Sequence, residues 1–545
     1  MTWERLCNSS SPMALCLRLL LFFAVLADAG KGRARGPLAS LLTWNAREAA
    51  SRQYDYIVVG GGTAGCAIAT TLSAQFSVLM VERGDSPYGV TSIEKARGVF
   101  TTLANTDKYN SPAQVFVSED GVENVRGRVL GGSSALNFGF YSRASLAYMV
   151  SMGWNLTLVQ EAYQWIEANL VTRPQMKEWQ SAVMEGLLDV GVGMIPFNGY
   201  TFEHVLGTKT SGSTFDNNGR RHTAADLLIK ANPLNLRVLL RATASRVTFY
   251  PKENCGHYSS KPRVRGLEFM DENGHSYEAL LKANSPFCRE KGGCSEVILS
   301  AGAMGSPQLL LLSGIGPAEH LENMSIPVVM HLPGVGKGMV DNPRNNISLL
   351  SRKPLDFSMP QVVGITGDDK AYIEAFSAMQ QGSFVGYIAE KLAAPLSRGE
   401  LYLKSTDPRD NPSVKFNYFS NPLDVAVCAR AMRSIVALTR TKALSFAYVD
   451  QPLPLPDNET ALAEFCKSTV ATIWHFHGGC RFDLVINRNY QVIGIENDNL
   501  RVVDASTHAS SPGTNPQATT LMLGRYVGIR ILQERQRISE ILGTQ

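Results

Sequence analysis

The chain has 545 residues, 44% of them hydrophobic and 18% charged, which excludes a disordered or collagen-like protein and leaves ample apolar material for a multi-domain core. Lys plus Arg number 52 against 48 Asp plus Glu, a net charge of +4 with no basic footprint, so nucleic acid is not an expected partner. In chain order, Arg5 and Arg18 lead into the apolar run Leu19 to Leu26, and Ala27-Asp28-Ala29 has the small-x-small form of a cleavage site. Residues 1–29 are therefore predicted to be a signal peptide, with a secreted mature chain starting near Gly30. That run is short for a bilayer core, which needs about 20 apolar residues, and no later stretch approaches the length. No stable membrane span is expected once the signal is removed. Asn155, Asn323, Asn346 and Asn458 open N-x-Ser/Thr sequons and become candidate glycan sites in a secreted chain.

Seven of the nine cysteines lie beyond the signal, at 66, 255, 288, 294, 428, 466 and 480. The odd number leaves at least one free thiol. Cys66 falls in a Gly-rich turn and reads as a small buried residue. Cys428 has Cys466 and Cys480 as possible partners. No C-x-x-C pair occurs, so no metal site is expected.

Tyr54 to Val59 is an apolar run rich in β-branched and aromatic residues, predicted to be a buried parallel strand. Gly60-Gly61-Gly62-Thr63-Ala64-Gly65 follows at once, then the helical stretch Ala67 to Leu72, then a second strand, Ser77 to Val81, ending at Glu82. This is the full strand–turn–helix–strand context of a dinucleotide site. Gly60 permits the sharp turn, Gly62 lets a pyrophosphate approach the backbone, and Gly65 lets helix and strand pack closely. The helix N-terminus offers amide donors, and Glu82 is placed to accept from an adenosine ribose. Arg83 follows that acid; an arginine here suits a 2′-phosphate, but the acid argues against one.

Three further segments carry more specific information. Gly127-Arg128-Val129-Leu130-Gly131-Gly132-Ser133-Ser134-Ala135-Leu136-Asn137 offers backbone donors with little side-chain obstruction. Gly302 to Gly316 follows the strand-like Val297 to Ser300 and opens a helix. Near the C-terminus come Trp474-His475-Phe476-His477-Gly478-Gly479, Arg501 to Ser506, and Ser511 to Thr519. Together these segments resemble the glucose-methanol-choline (GMC) family of FAD-dependent oxidoreductases, over about Tyr54 to Leu542. Trp474 to Cys480 and Leu521 to Tyr526 are similar to its plant branch, which holds HOTHEAD-type dehydrogenases and flavin-containing mandelonitrile lyases.

The resemblance implies an α/β chain (α+β overall): a Rossmann-like FAD-binding domain drawn from 50–150, 230–340 and 490–545, and a substrate domain with an antiparallel sheet from 151–229 and 341–489. It implies FAD as cofactor, held by Gly60, Gly62, Thr63, Ala64, Gly65, Glu82, Arg83, Val129, Gly132, Ser133, Asn137, Val247 through its backbone, His475, Asp504, Ala505 and Gln517. The histidine directly before a glycine, His477, is expected to be the general base, with Asn515 orienting the substrate oxygen. His475 would share its face if the segment were a strand, and is expected as a supporting histidine. Leu136 stands where some members carry a flavin-tethering histidine, so FAD is expected to be non-covalent. The substrate is expected to be a small alcohol, oxidised by hydride transfer to the flavin; the alternative is a cyanohydrin cleaved by a lyase. Asn515 in place of a second histidine, and no cysteine between Cys294 and Cys428, favour oxidation. The alcohol, the choice of oxidase or dehydrogenase, and the oligomeric state are not legible.

Overall fold

A computed structural model describes residues 36–193, 197–251, 261–282, 295–449, 453–454 and 456–543. The expected signal peptide and Cys255, Cys288 and Cys294 lie outside the described residues. Among the described residues no helix is long and apolar enough to cross a membrane, and no group of three or more His, Cys, Asp or Glu could hold a metal ion.

Two sheets organise the molecule. The first has six parallel strands, in spatial order Leu42–Thr43, Leu236–Leu239, Val78–Val81, Tyr56–Val59, Glu296–Leu299 and Leu500–Val502. Every residue of the three middle strands Tyr56–Val59, Val78–Val81 and Glu296–Leu299 is buried, as a parallel sheet covered on both faces requires. Helix Thr63–Leu72 leaves the first of these and packs against the last helix, Gln517–Gly543. Their approach is close enough that a Cβ on Gly524 would lie 2.3 Å from the Ala64 carbonyl oxygen.

The second sheet is antiparallel, in order Ala447–Val449, Pro343–Ser351, Ser383–Leu392, Ala371–Gln380, Val362–Ile365 and Gly207–Thr210, with Ala471–Thr472 also paired to Pro343–Ser351. Helices Glu178–Asp189 and Pro422–Leu438 bury Trp179, Val183, Met432 and Ile435 against it, forming a second core. Cys428 is bridged to Cys466, tying Pro422–Leu438 to helix Glu459–Ser468; Cys66 and Cys480 are buried free thiols.

The expected division of the chain is corrected in three places. Helix Leu156–Leu170, expected in the substrate domain, buries Val159, Tyr163 and Ile166 in the same core as Leu521 and Met522 of the last helix. The short helix Ala224–Lys230 does the same with Leu227 and Leu228. The parallel sheet also begins before residue 50, at Leu42–Thr43. An amphipathic pattern states that a face is buried, not which layer buries it.

Candidate active site

One large cavity runs between the two sheets. Its wall holds Gly60, Gly62, Thr63, Ala64, Glu82, Arg83, Gly132, Ser133, Asn137, His475, Asp504, Ala505, Asn515 and Gln517, brought together from distant parts of the sequence. Three expected cofactor-binding residues lie off that wall. Gly65 acts by packing: a Cβ there would lie 2.0 Å from the Gly60 carbonyl oxygen. Val129 is buried against Ile93 and Ala135. Val247 is buried and its N–H donates to Ser313 Oγ at 2.8 Å, so Ala242, Thr243 and Ala244 form the wall in its place.

The dinucleotide end is built from turns. Gly60 has φ +101°, and a Cβ there would sit 2.5 Å from the Ser300 carbonyl oxygen, so only glycine serves. A Cβ built on Gly62 finds its nearest protein atom at 3.8 Å, which leaves backbone open to a ligand. The buried Glu82 carboxylate accepts from the Gly61 N–H at 2.8 Å and the Gly84 N–H at 2.7 Å, keeping further lone pairs for hydroxyl donors. Burial raises its pKa while those amides oppose the rise.

Arg126, not singled out by the sequence reading, lines the cavity beside Arg83. Both guanidiniums reach Gln114 Oε1, at 3.2 and 2.7 Å, and neither forms a salt bridge among the described residues. Burial lowers the pKa of both, Arg83 to about 10. A buried cation, Arg126, and a half-buried one, Arg83, facing a shared neutral acceptor give this wall an affinity for anionic groups. At the other end Gln517 opens the last helix; its Oε1 accepts from Asn137 Nδ2, and its own Nε2 is buried without a partner in the protein. Glycine backbone, acid, cationic wall and helix N-terminus fit FAD.

The catalytic end corrects the choice of base. His477 does not line the cavity. It is 1% exposed, its Nδ1–H donates to the His475 carbonyl oxygen at 2.9 Å, and its Nε2 is sealed without a protein partner. Its main chain is bridged to Val340 in both directions. Burial pushes its pKa down to about 4. His475 is the histidine on the cavity wall. Its Nδ1 meets Tyr372 Oη at 3.0 Å, and its N–H donates to Asp341 Oδ1 at 2.9 Å. Burial, then Lys391 and His477, hold its imidazole neutral, well below the ordinary range. The expected shared face fails because the segment is not a strand: His475 and Phe476 join no ladder, and His477 makes only an isolated bridge to Val340.

Asp341 is itself buried and also accepts from Tyr418 Oη at 2.6 Å and Thr472 Oγ1 at 2.7 Å; burial raises its pKa to about 6. Asn515 faces the same cavity, its Nδ2 donating to Glu374 Oε2 at 3.4 Å. Glu374 is ion-paired with Lys391; both are buried and both line the wall. Phe138 and Trp474 complete the substrate side with ring centroids 6.0 Å apart. Phe376 and Phe100 pack on Phe138 at 5.2 and 5.6 Å, extending the aromatic row to the surface, where Phe100 is exposed.

Residues 54–344 and 395–524 match the two GMC oxidoreductase family models. The chain belongs to the GMC oxidoreductase family, and its cofactor is FAD. It is 44% identical to an Arabidopsis thaliana protein named (R)-mandelonitrile lyase-like, over 98% of this chain and all of that one. It is also 44% identical to sinalpyl alcohol oxidase Nec3 of Nesocodon mauritianus, over 89% of each. Among solved structures, formate oxidase of Aspergillus oryzae superposes with a TM-score of 0.75 at 18% identity, over 90% of this chain and 99% of that one, a likeness of fold. In this chain it is His475, not His477, that lines the cavity.

Proposed function

We propose that this GMC oxidoreductase oxidises the CH–OH group of an apolar, ring-bearing alcohol, with His475 as general base. The observation that carries the reading is the wall shared by His475, Asn515 and the cofactor-binding turns. FAD, when bound, supplies the acceptor for the hydride that leaves the carbinol carbon. Gly62, Gly132, Ser133, Glu82, Arg83, Arg126 and Gln517 hold it. His475, kept neutral by burial, takes the hydroxyl proton at Nε2. Asn515 holds the substrate oxygen without titrating. The aromatic row suits a ring-bearing alcohol, in keeping with the alcohol oxidase relative. A cyanohydrin lyase is the second reading, favoured by the name of the other relative. There the same base would take the hydroxyl proton as the carbon–carbon bond breaks and cyanide leaves.

Leu136 on the cavity wall offers no side chain for a covalent tether, so FAD is bound non-covalently and is released by acid. The protein is secreted: the Cys428–Cys466 bridge suits an oxidising compartment, in line with the N-terminal signal and the sequons.

The deciding test is anaerobic flavin reduction with benzylic, cinnamyl and aliphatic alcohols, beside cyanide release from mandelonitrile. His475→Ala is expected to lower the rate of reduction by about 10² to 10⁴ with FAD retained. His477→Ala, away from the wall, is expected to leave the rate within about tenfold of wild type, below the loss of a base. The reverse ranking restores His477 as base. Brisk cyanide release with no alcohol reducing the flavin replaces the oxidation reading by the lyase.

A further inference from the structure

A side-chain amide can meet a substrate hydroxyl in two ways, and the outcomes are opposite. If Asn515 turns Nδ2 to the substrate, its N–H donates to the oxygen and leaves the hydroxyl proton to His475. If it turns Oδ1, the amide accepts that proton itself, draws it away from the base, and sets a lone pair against the oxygen as negative charge grows there.

The neighbours of the amide choose between the two. Glu374 lies on the strand Ala371–Gln380, and Lys391 lies on the adjacent strand Ser383–Leu392, opposite Tyr372 and so diagonal to Glu374. The Lys391 ammonium pairs with Glu374 Oε2, and the two residues are 3% and 2% exposed. Paired in this way Glu374 is a carboxylate, with lone pairs and no proton to give. Its Oε2 accepts from Asn515 Nδ2 at 3.4 Å, while Thr514 Oγ1 donates to Asn515 Oδ1 at 3.3 Å. A flipped amide would set Oδ1 against the carboxylate oxygen, acceptor against acceptor. The second Nδ2–H has no protein partner among the described residues, and Asn515 is partly exposed on the cavity wall. Glu374 Oε1 is sealed, so the carboxylate reaches a substrate through the amide.

We propose that Glu374 is the positioning residue of Asn515: ionised by its pairing with Lys391, it fixes the amide with Oδ1 toward Thr514 and leaves one N–H for the substrate oxygen. This rests on Asn515 as the group that holds that oxygen, and it serves oxidation and cyanohydrin cleavage alike.

The test compares FAD-loaded wild type with Glu374→Met/Lys391→Met, which removes the acceptor and its counter-charge together, scored on protein with full flavin content. Glu374→Leu/Lys391→Leu is the second pair should the first lose its flavin. Benzaldehyde, the carbonyl product of benzyl alcohol oxidation and of mandelonitrile cleavage alike, only accepts hydrogen bonds; toluene keeps the ring and has no oxygen. Titrations followed by the flavin spectrum read Kd for each. The paired substitution is expected to weaken benzaldehyde by about two- to tenfold, the loss of one hydrogen bond, and to leave toluene unchanged. In an Asn515→Ala background the same substitution is expected to have no effect on benzaldehyde. An unchanged benzaldehyde Kd, equal weakening of both probes, or the same loss without the amide overturns the proposal. Neutron diffraction from wild-type crystals exchanged into D2O reads the amide directly: deuterons are expected on the atom facing Glu374, and an oxygen there overturns the proposal. That map needs no ligand, so a wild type that binds neither probe refutes the reading of a ring-bearing substrate while the orientation of Asn515 is still decided.

Discussion

His477 is sealed away from the cavity, and the cost of that burial is written in pH. Its folded pKa, about 4, lies below the ordinary value of 6.5, so between these limits the unfolded chain binds more protons. The stability it contributes is complete above pH 6.5 and is lost as pH falls toward 4. Asp341 runs the other way: raised to about 6, it takes up its proton earlier in the folded state and offsets part of that loss. His477→Asn is expected to flatten the decline of Tm of the holoenzyme between pH 6.5 and 4, read by scanning fluorimetry; a slope equal to wild type contradicts this. Lys391→Met strands the buried Glu374 carboxylate and is expected to cost about 3–5 kcal/mol in urea denaturation. Adding Glu374→Gln is expected to recover most of that loss, since the charge is then gone too. The dinucleotide residues were legible because each carries its reason locally, in a turn or at a strand end. Arg126, Glu374, Lys391 and the precedence of His475 over His477 were not, because what assigns them is a shared wall formed by distant segments. His477 was chosen for the glycine that follows it, a local cue that does not say which histidine meets the cavity.

Elements with a single periodic signal were read correctly from the chain alone. The runs around Tyr56–Val59 and Val78–Val81 form neighbouring parallel strands, joined by helix Thr63–Leu72. Helix Leu156–Leu170 was placed by the resemblance alone, and only its packing in the core of the last helix shows which layer it joins. Val247 was misplaced because a register irregularity between Ala244 and Arg246 shifts which part of Thr243–Phe249 meets the cavity. Gly65→Ala places a methyl group 2.0 Å from the Gly60 carbonyl, and purified protein is expected to lose its flavin absorbance; retention of full FAD refutes the packing role. The Cys428–Cys466 bridge closes 38 residues, so its removal by paired serine substitution is expected to cost about 2–4 kcal/mol. The loss is expected to leave the flavin spectrum unchanged, because the bridge lies in the second core.

At the scale of the whole molecule, the secretory reading meets the structure at its sequons. Asn155, Asn323 and Asn458 are exposed, whereas Asn346 is half-buried in the strand Pro343–Ser351, where it pairs with Ala389. Secreted protein is expected to carry glycans on at most the first three, with the Asn346 peptide unmodified in mass spectrometry after enzymatic deglycosylation. A modified Asn346 refutes that accessibility argument, and a fully unmodified chain in a cytosolic fraction refutes secretion. The six-stranded sheet has a further consequence, for the path to the native state. Val297 pairs with Leu500 and Met80 with Val238, so its hydrogen-bond ladders join parts of the chain that are remote in sequence. Such loops are closed before the contacts they enable can form, which makes refolding slow and leaves apolar strand edges unpaired meanwhile. Recovery from denaturant will therefore depend on dilution more than on the strength of any one contact, with aggregation competing at every stage before the last strand docks.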